Sequence, residues 1–196
     1  MFQTKPQIAL DLIDRAKANG IRVMAWTADE GYGRDGAFLD GLDERNEAWV
    51  IEVPPNAHVW LMKPKVLKTP PENTTSRPKK YPRLRSRERQ PSEIQNLARY
   101  SPAFRKQTPQ NYQIKHTHRG SEVWEIRWST CWRKTHTDNL VSNQCTLIVA
   151  RNVLTDETDY VLVLEKESDL AGLPPSLRAA ASAAAESRGH KGKWAV

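Results

Sequence analysis

Two cysteines, Cys131 and Cys145, are all that this chain of 196 residues contains, and two cannot form a disulfide framework. That scarcity favours an intracellular, reducing setting. Long apolar runs are missing too, and nothing approaches the roughly 20 residues needed to cross a bilayer. The N-terminal MFQTKPQIALDLIDRAK is amphipathic and carries acids, without the apolar centre and cleavage site of a secretory signal. These absences imply a soluble, cytoplasmic protein of a prokaryote, with no membrane among its partners. Apolar residues are few, at 38% with a mean hydropathy of −0.70, so a sizeable part of the chain is expected to be exposed or irregular. Acid is scarce in one place above all. From Lys63 to Lys106 there are 13 basic residues against Glu72, Glu88 and Glu93, an excess of +10 in a chain whose net charge is +7. The rest is therefore slightly acidic, and the basic segment points to a polyanionic partner, most simply nucleic acid.

The first 55 residues alternate helix and strand. Residues 6 to 19 carry Ile8, Leu12, Ile13 and Ala16 on one helical face, with Pro6 at the start and Gly20 as the stop. Ile21 to Thr27 reads as a buried strand. It runs into Ala28-Asp29-Glu30-Gly31-Tyr32-Gly33, a turn rich in glycine and acid. Asp35 is placed to cap a second helix carrying Ala37, Phe38, Leu39 and Leu42, and residues 48 to 53 read as a second strand. This is α/β order, in which function gathers at the carboxyl ends of strands. Asp29 and Glu30 lie at one such end.

Residues 56 to 106 read as a basic, proline-rich linker, since residues 63 to 92 alone hold six prolines. A short helix is expected over 92 to 100, capped by Ser92 and ended by Ser101-Pro102. From Tyr112 the period changes to two. Tyr112, Ile114 and His116, then Val123, Trp124, Ile126 and Trp128, then Cys145 to Arg151 and Tyr160 to Leu164, predict an antiparallel, tryptophan-rich β region over 107 to 158. An alanine-rich tail over 159 to 196 should be helical from about Pro175 to its stop at Gly189. No internal repeat is present.

Each feature has a plain alternative. Asp29 could simply cap the following turn or helix. The basic run could be a solvated surface, or its cations Lys79, Lys80, Arg83, Arg85, Arg87 and Arg89 could contact DNA phosphates without reading sequence. Trp124, Trp128 and Trp132 share one face of an extended strand, where core packing is the favoured reading. His116, His118, His136, Cys131 and Cys145 lack the spacing of a zinc site.

An ordered set of segments resembles insertion-sequence transposases of the DDE superfamily. Trp26-Thr-Ala-Asp-Glu-Gly-Tyr-Gly33 holds an Asp-x-x-Tyr-Gly motif, followed by Phe38-Leu-x-x-Leu42 and Val50-Ile-Glu-Val-Pro54. Lys5 to Ala16, Leu97 to Phe104, Val123-Trp-Glu125 and Leu147 to Val153 fit as well, so that the likeness spans about residues 5 to 158. The resemblance implies an RNase H-like fold, here a partial unit over 1 to 55. It also implies an Asp-Asp-Glu triad holding two Mg²⁺ or Mn²⁺ ions for attack on phosphodiesters, DNA as partner, and a homodimer in the intact family. Asp29 matches the second acid and is the catalytic and metal-binding residue carried over. The first acid belongs upstream of Met1 and the last beyond residue 158, so the chain is expected to be a fragment inactive alone. The resemblance also offers Trp124 and Trp128 as a stacking platform for an unpaired base. Residues 160 to 174 and 188 to 194 look like part of a thimet-type oligopeptidase, without the His-Glu-x-x-His zinc motif that a peptidase needs. The readings to separate are a transposase fragment, a non-enzymatic nucleic-acid-binding protein and a peptidase-related interaction fragment.

Overall fold

A computed structural model describes residues 2–70, 80–117 and 120–164, with the side chains of 114–121 left aside. Helix α1 (Lys5–Ala18) begins at a capping box, in which Thr4 and Gln7 satisfy each other's backbone amides. It ends before Gly20, whose φ of +75° suits a residue without Cβ. Strand β1 (Trp26–Ala28) is shorter than the expected 21–27. Ile21 and Met24 are exposed because the chain first turns back on α1, with the Ile21 amide donating to Ala16 O. The one-turn helix α2 (Glu30–Gly33) follows, and then α3 (Gly36–Glu44), capped by Asp35 through the amides of Ala37 and Phe38.

β2 (Trp49–Glu52) runs parallel to β1, with Ala28 opposite Ile51. Beyond it the expected linker over 56–106 proves to be built of short elements: β3 (His58–Trp60), β4 (Val66–Leu67), β5 (Arg83–Leu84), β6 (Ser92–Glu93), α4 (Ile94–Tyr100) and α5 (Pro102–Arg105). Proline content misled here, because Pro64, Pro82 and Pro91 flank the pairing residues rather than occupy them. Ser92 is accordingly a strand residue and not the expected helix cap. Three long strands and one shorter strand follow, namely β7 (Gln110–Thr117), β8 (Gly120–Lys134), β9 (Val141–Asn152) and β10 (Thr158–Leu164).

One sheet joins all of these except the β4–β5 pair. Its order is β1-β2-β10-β9-β8-β3-β6, with β7 also on β8. β10 lies antiparallel between β2 and β9. The boundary expected at 158/159 therefore falls at a strand hydrogen-bonded on both sides, and the expected separation of the 1–55 unit from the β region is bridged by the same strand. The expected alanine-rich helix and the tail beyond residue 164 lie outside the described residues.

Period-two alternation sorts the apolar side chains onto two faces. Trp49, Ile51, Leu147, Val149 and Leu162 meet Ile13 of α1, Phe38, Leu39 and Leu42 of α3, Ile94 of α4 and Phe104 of α5. Val50, Ile148, Ala150, Val161 and Val163 lie on the other face with Trp124 and Ile126. β2 and β10 are thus buried on both sides, which is why they read as unbroken apolar runs.

A candidate carboxylate site and a basic arm

Asp29 sits one residue beyond the carboxyl end of β1, and Glu52 is the last residue of the parallel neighbour β2. Since Ala28 pairs with Ile51, the two acids occupy adjacent positions at the same end of the sheet. What brings α2 down over this end is Gly33. A Cβ there would stand 2.0 Å from the carbonyl oxygen of Glu52, a contact that only hydrogen permits. The Tyr-Gly of the motif is thereby explained. Tyr32 packs against Phe38, with ring centroids 5.3 Å apart, and Gly33 allows the helix to touch the strand.

The Asp29 side chain is exposed and accepts the Tyr32 amide at 3.4 Å, so it does cap α2. Glu30 turns aside to Arg34 in an ion pair. Among the described residues no group of three His, Cys, Asp or Glu side chains is close enough to hold a metal ion. The donor set described here therefore does not fit a two-ion centre. His118 and the side chain of His116 lie outside the described residues, and His136 is exposed beside Gly36. Cys131 and Cys145 face each other across β8 and β9 with their sulfurs 3.5 Å apart. The neighbouring thiol and burial push Cys131 well above its ordinary pKa, which suits a packing pair and not a reactive thiolate.

Behind the carboxylate end lies a buried charge cluster that no sequence pattern announced. Arg133 of β8 donates to Asp40 at 2.5 Å and to Asp43 at 2.6 Å, both on α3. Asp40 also accepts the amides of His136 and Thr137 and the Thr137 hydroxyl. Burial works against ionisation of Asp40, but Arg133 and Thr137 outweigh it and hold the carboxyl below its ordinary value. At Asp43 burial prevails over Arg133, and the carboxyl is pushed up. The cluster locks α3 to the β8–β9 turn. Next to it a cavity of about 200 Å³ opens between Gly33 and Val53, rimmed by Arg34, His58 and Lys134.

The tryptophans divide. Trp124 is 4% exposed and belongs to the second apolar face, with its Nε1 donating to Glu122. Trp128 is half-buried against the same cluster. Burial removes Trp124 from any stacking platform and gives it a packing role. Trp132, in register with Gln144, is also half-buried.

Of the expected DNA contacts, Lys79 lies outside the described residues. Lys80, Arg85, Arg87 and Arg89 are exposed and Arg83 is half-buried. The structure adds Lys65. Strands β4 and β5 pair Val66 with Leu84 and Leu67 with Arg83, and the Arg85 amide donates to Lys65 O at 2.9 Å. The base of this excursion is tied to the main sheet by the β3–β6 pairing and by Trp60 Nε1 donating to Arg89 O at 2.7 Å. The basic segment is an arm anchored at both ends. Its pairing could not be seen in the sequence, because each strand is only two residues long.

Residues 1–121 match the family model described as DDE superfamily endonuclease. No curated protein matches the chain, and no solved structure does. The likeness of the tail to thimet-type oligopeptidases finds no support in these comparisons. None of the described helices is long and apolar enough to cross a membrane.

Proposed function

We propose that this chain, which belongs to the DDE superfamily endonucleases, is a DNA-binding protein of transposition that contributes one acid, Asp29, to strand-transfer chemistry it does not complete by itself. The observation that carries the reading is the placement of Asp29 at the carboxyl end of a parallel strand beside Glu52, where α/β sheets present functional groups. A full set of such acids would hold Mg²⁺ or Mn²⁺, which would supply the activation of water or a DNA 3′-hydroxyl; this chain's described residues offer Asp29 toward such a set. Within this chain Asp29 is a carboxylate held at a helix N-terminus, and the described residues bring no second and third ligand to it. What the chain does on its own is hold DNA, through the cations of the arm. A second reading, a purely non-enzymatic nucleic-acid-binding protein, draws on the helix-capping bond of Asp29, which gives that residue a role with no metal.

A nicking assay on supercoiled plasmid with Mg²⁺ or Mn²⁺ tests this, comparing wild type with Asp29→Ala. Both should leave the plasmid intact while retaining it in a gel at low salt. Nicking by wild type that Asp29→Ala abolishes would overturn the incomplete-site reading and make the chain an active endonuclease. Failure to retain DNA at any salt would remove the DNA-binding role.

A further inference from the structure

The arm gathers its charges without acidic partners. Of the described cations outside it, half are paired: Lys17 with Glu47, Arg34 with Glu30, Arg45 with Asp14, Arg133 with Asp40 and Asp43, and Arg151 with Glu125 and Asp156. None of the described Lys and Arg residues between 63 and 106 makes an ion pair, and Glu93 of that stretch is turned to Gln95 and Asn96 instead. Like charges are even set against one another. Lys65 and Arg85 lie one step beyond the Val66–Leu84 pair and so face each other across the ribbon, an arrangement that costs stability in a sheet. Alternation puts Arg83 on the same face. Its guanidinium is stacked 5.2 Å from the Tyr81 ring centroid, and its Nε is buried without an acceptor among the described residues.

Arg87 supplies an independent sign. It occupies the turn that follows β5, exposed, with a φ of +65°. Glycine or asparagine sits there without strain, whereas a long side chain is strained. Fold stability alone does not favour arginine at that position. A positive charge kept where the backbone resists it points to something outside the chain that wants it.

We propose that the face of the β4–β5 ribbon carrying Lys65, Arg83 and Arg85, with Arg87 at the adjoining turn, docks on the phosphate rows of duplex DNA. Cations rise from both strands of the ribbon, and a two-stranded ribbon is of a size that a duplex groove admits. The DNA phosphates neutralise the Lys65–Arg85 repulsion that no acid among the described residues neutralises. Contacts of this kind position the protein without reading sequence. The inference rests on the DNA-binding reading above and names the surface and the form of DNA.

Fluorescence anisotropy of the full chain on a labelled 20-base-pair duplex, from about 50 to 200 mM KCl, separates the two. Each phosphate contact adds about 0.9 to the slope of log affinity against log salt. Lys65→Gln with Arg85→Gln should lower that slope by about 1.8, so that the fourfold salt rise costs the double variant about 12-fold less affinity than wild type. Arg87→Gly should lower it by about 0.9 while melting at or above the wild-type temperature, which keeps the result apart from unfolding. Arg151→Gln, whose charge is already paired, should leave the slope unchanged. Tight duplex binding with a wild-type slope in the double variant overturns the ribbon and spares the DNA-binding role. Equal or tighter binding of the corresponding single strand overturns the duplex assignment. No binding by wild type at about 50 mM KCl overturns both readings.

Discussion

Replacing Gly33 by alanine puts the geometry of the carboxylate end to a direct test. The added methyl would lie 2.0 Å from Glu52 O, 3.0 Å from Glu52 C and 3.1 Å from Ile51 Cγ2. Non-bonded heavy atoms rest about 3.5–4.0 Å apart, so a separation of well over an ångström must open between α2 and β2. The obstructing atom is backbone carbonyl in a strand paired on both sides, and it cannot rotate away. Overpacking of this kind costs roughly 1–3 kcal/mol, from which the intrinsic preference of alanine over glycine in a helix returns about 0.5–1 kcal/mol. The net cost is up to about 2.5 kcal/mol, and at roughly 2–4 °C per kcal/mol for a chain of this size the melting temperature should fall by up to about 10 °C. The companion change Gly31→Ala meets the Asp29 carboxylate, Oδ1 at 3.0 Å and Cγ at 3.9 Å, a side chain and not backbone. It should melt within about 2 °C of wild type, if the helix preference offsets that contact. Differential scanning fluorimetry of the two variants side by side decides the matter. If Gly33→Ala melts no lower than Gly31→Ala, the close approach of α2 to β2 is not what the glycine serves.

The two acids of the Arg133 cluster should respond to pH in opposite senses. Asp40 titrates below its ordinary 3.8, so it stabilises the fold above the carboxylate range and that gain is lost as pH falls through its folded value. Asp43 titrates above 3.8, so its ionisation costs stability near neutrality and acidification relieves the cost. In urea unfolding between about pH 7 and 3, the deficit of Asp40→Asn relative to wild type should shrink on acidification, while wild type should gain on Asp43→Asn. Parallel curves for the two variants would contradict the assignment. Trp124→Ala, which empties a large buried site on the second sheet face, should cost about 3–5 kcal/mol in the same assay. A loss under about 1 kcal/mol, with weakened DNA binding, would instead return Trp124 to a stacking role.

Local pattern carries well into this protein where partners are near in sequence. Thr4, Gln7 and Pro6 start α1, Gly20 stops it, and Asp35 caps α3, because caps and turns are chosen by residues within four positions. The strand pattern from Tyr112 to Leu164 was legible for the same reason, since alternation is a property of consecutive residues. The motif Asp29-Glu-Gly-Tyr-Gly33 identified the carboxylate end and its likeness to the DDE family. Ile21 to Ala25 misled, since an apolar run bears no mark of whether another strand lies alongside it.

What only the tertiary structure decided is who meets whom across long intervals. That β10, already paired with its sequence neighbour β9, also pairs with β2 and so joins the two ends of the described chain in one sheet depends on contacts between residues such as Val161 and Glu52, far apart in sequence. Arg133 meets Asp40 and Asp43 across about ninety residues. Gly33 is needed for a strand carbonyl nineteen residues away, and Lys65 faces Arg85 over an interval whose middle says nothing of the pairing. The composition of the chain showed that it is basic and where. Whether those charges are spread along a loose segment or opposed across an anchored ribbon is settled by backbone hydrogen bonds, which every residue but proline can make and which therefore leave little trace in the choice of side chain.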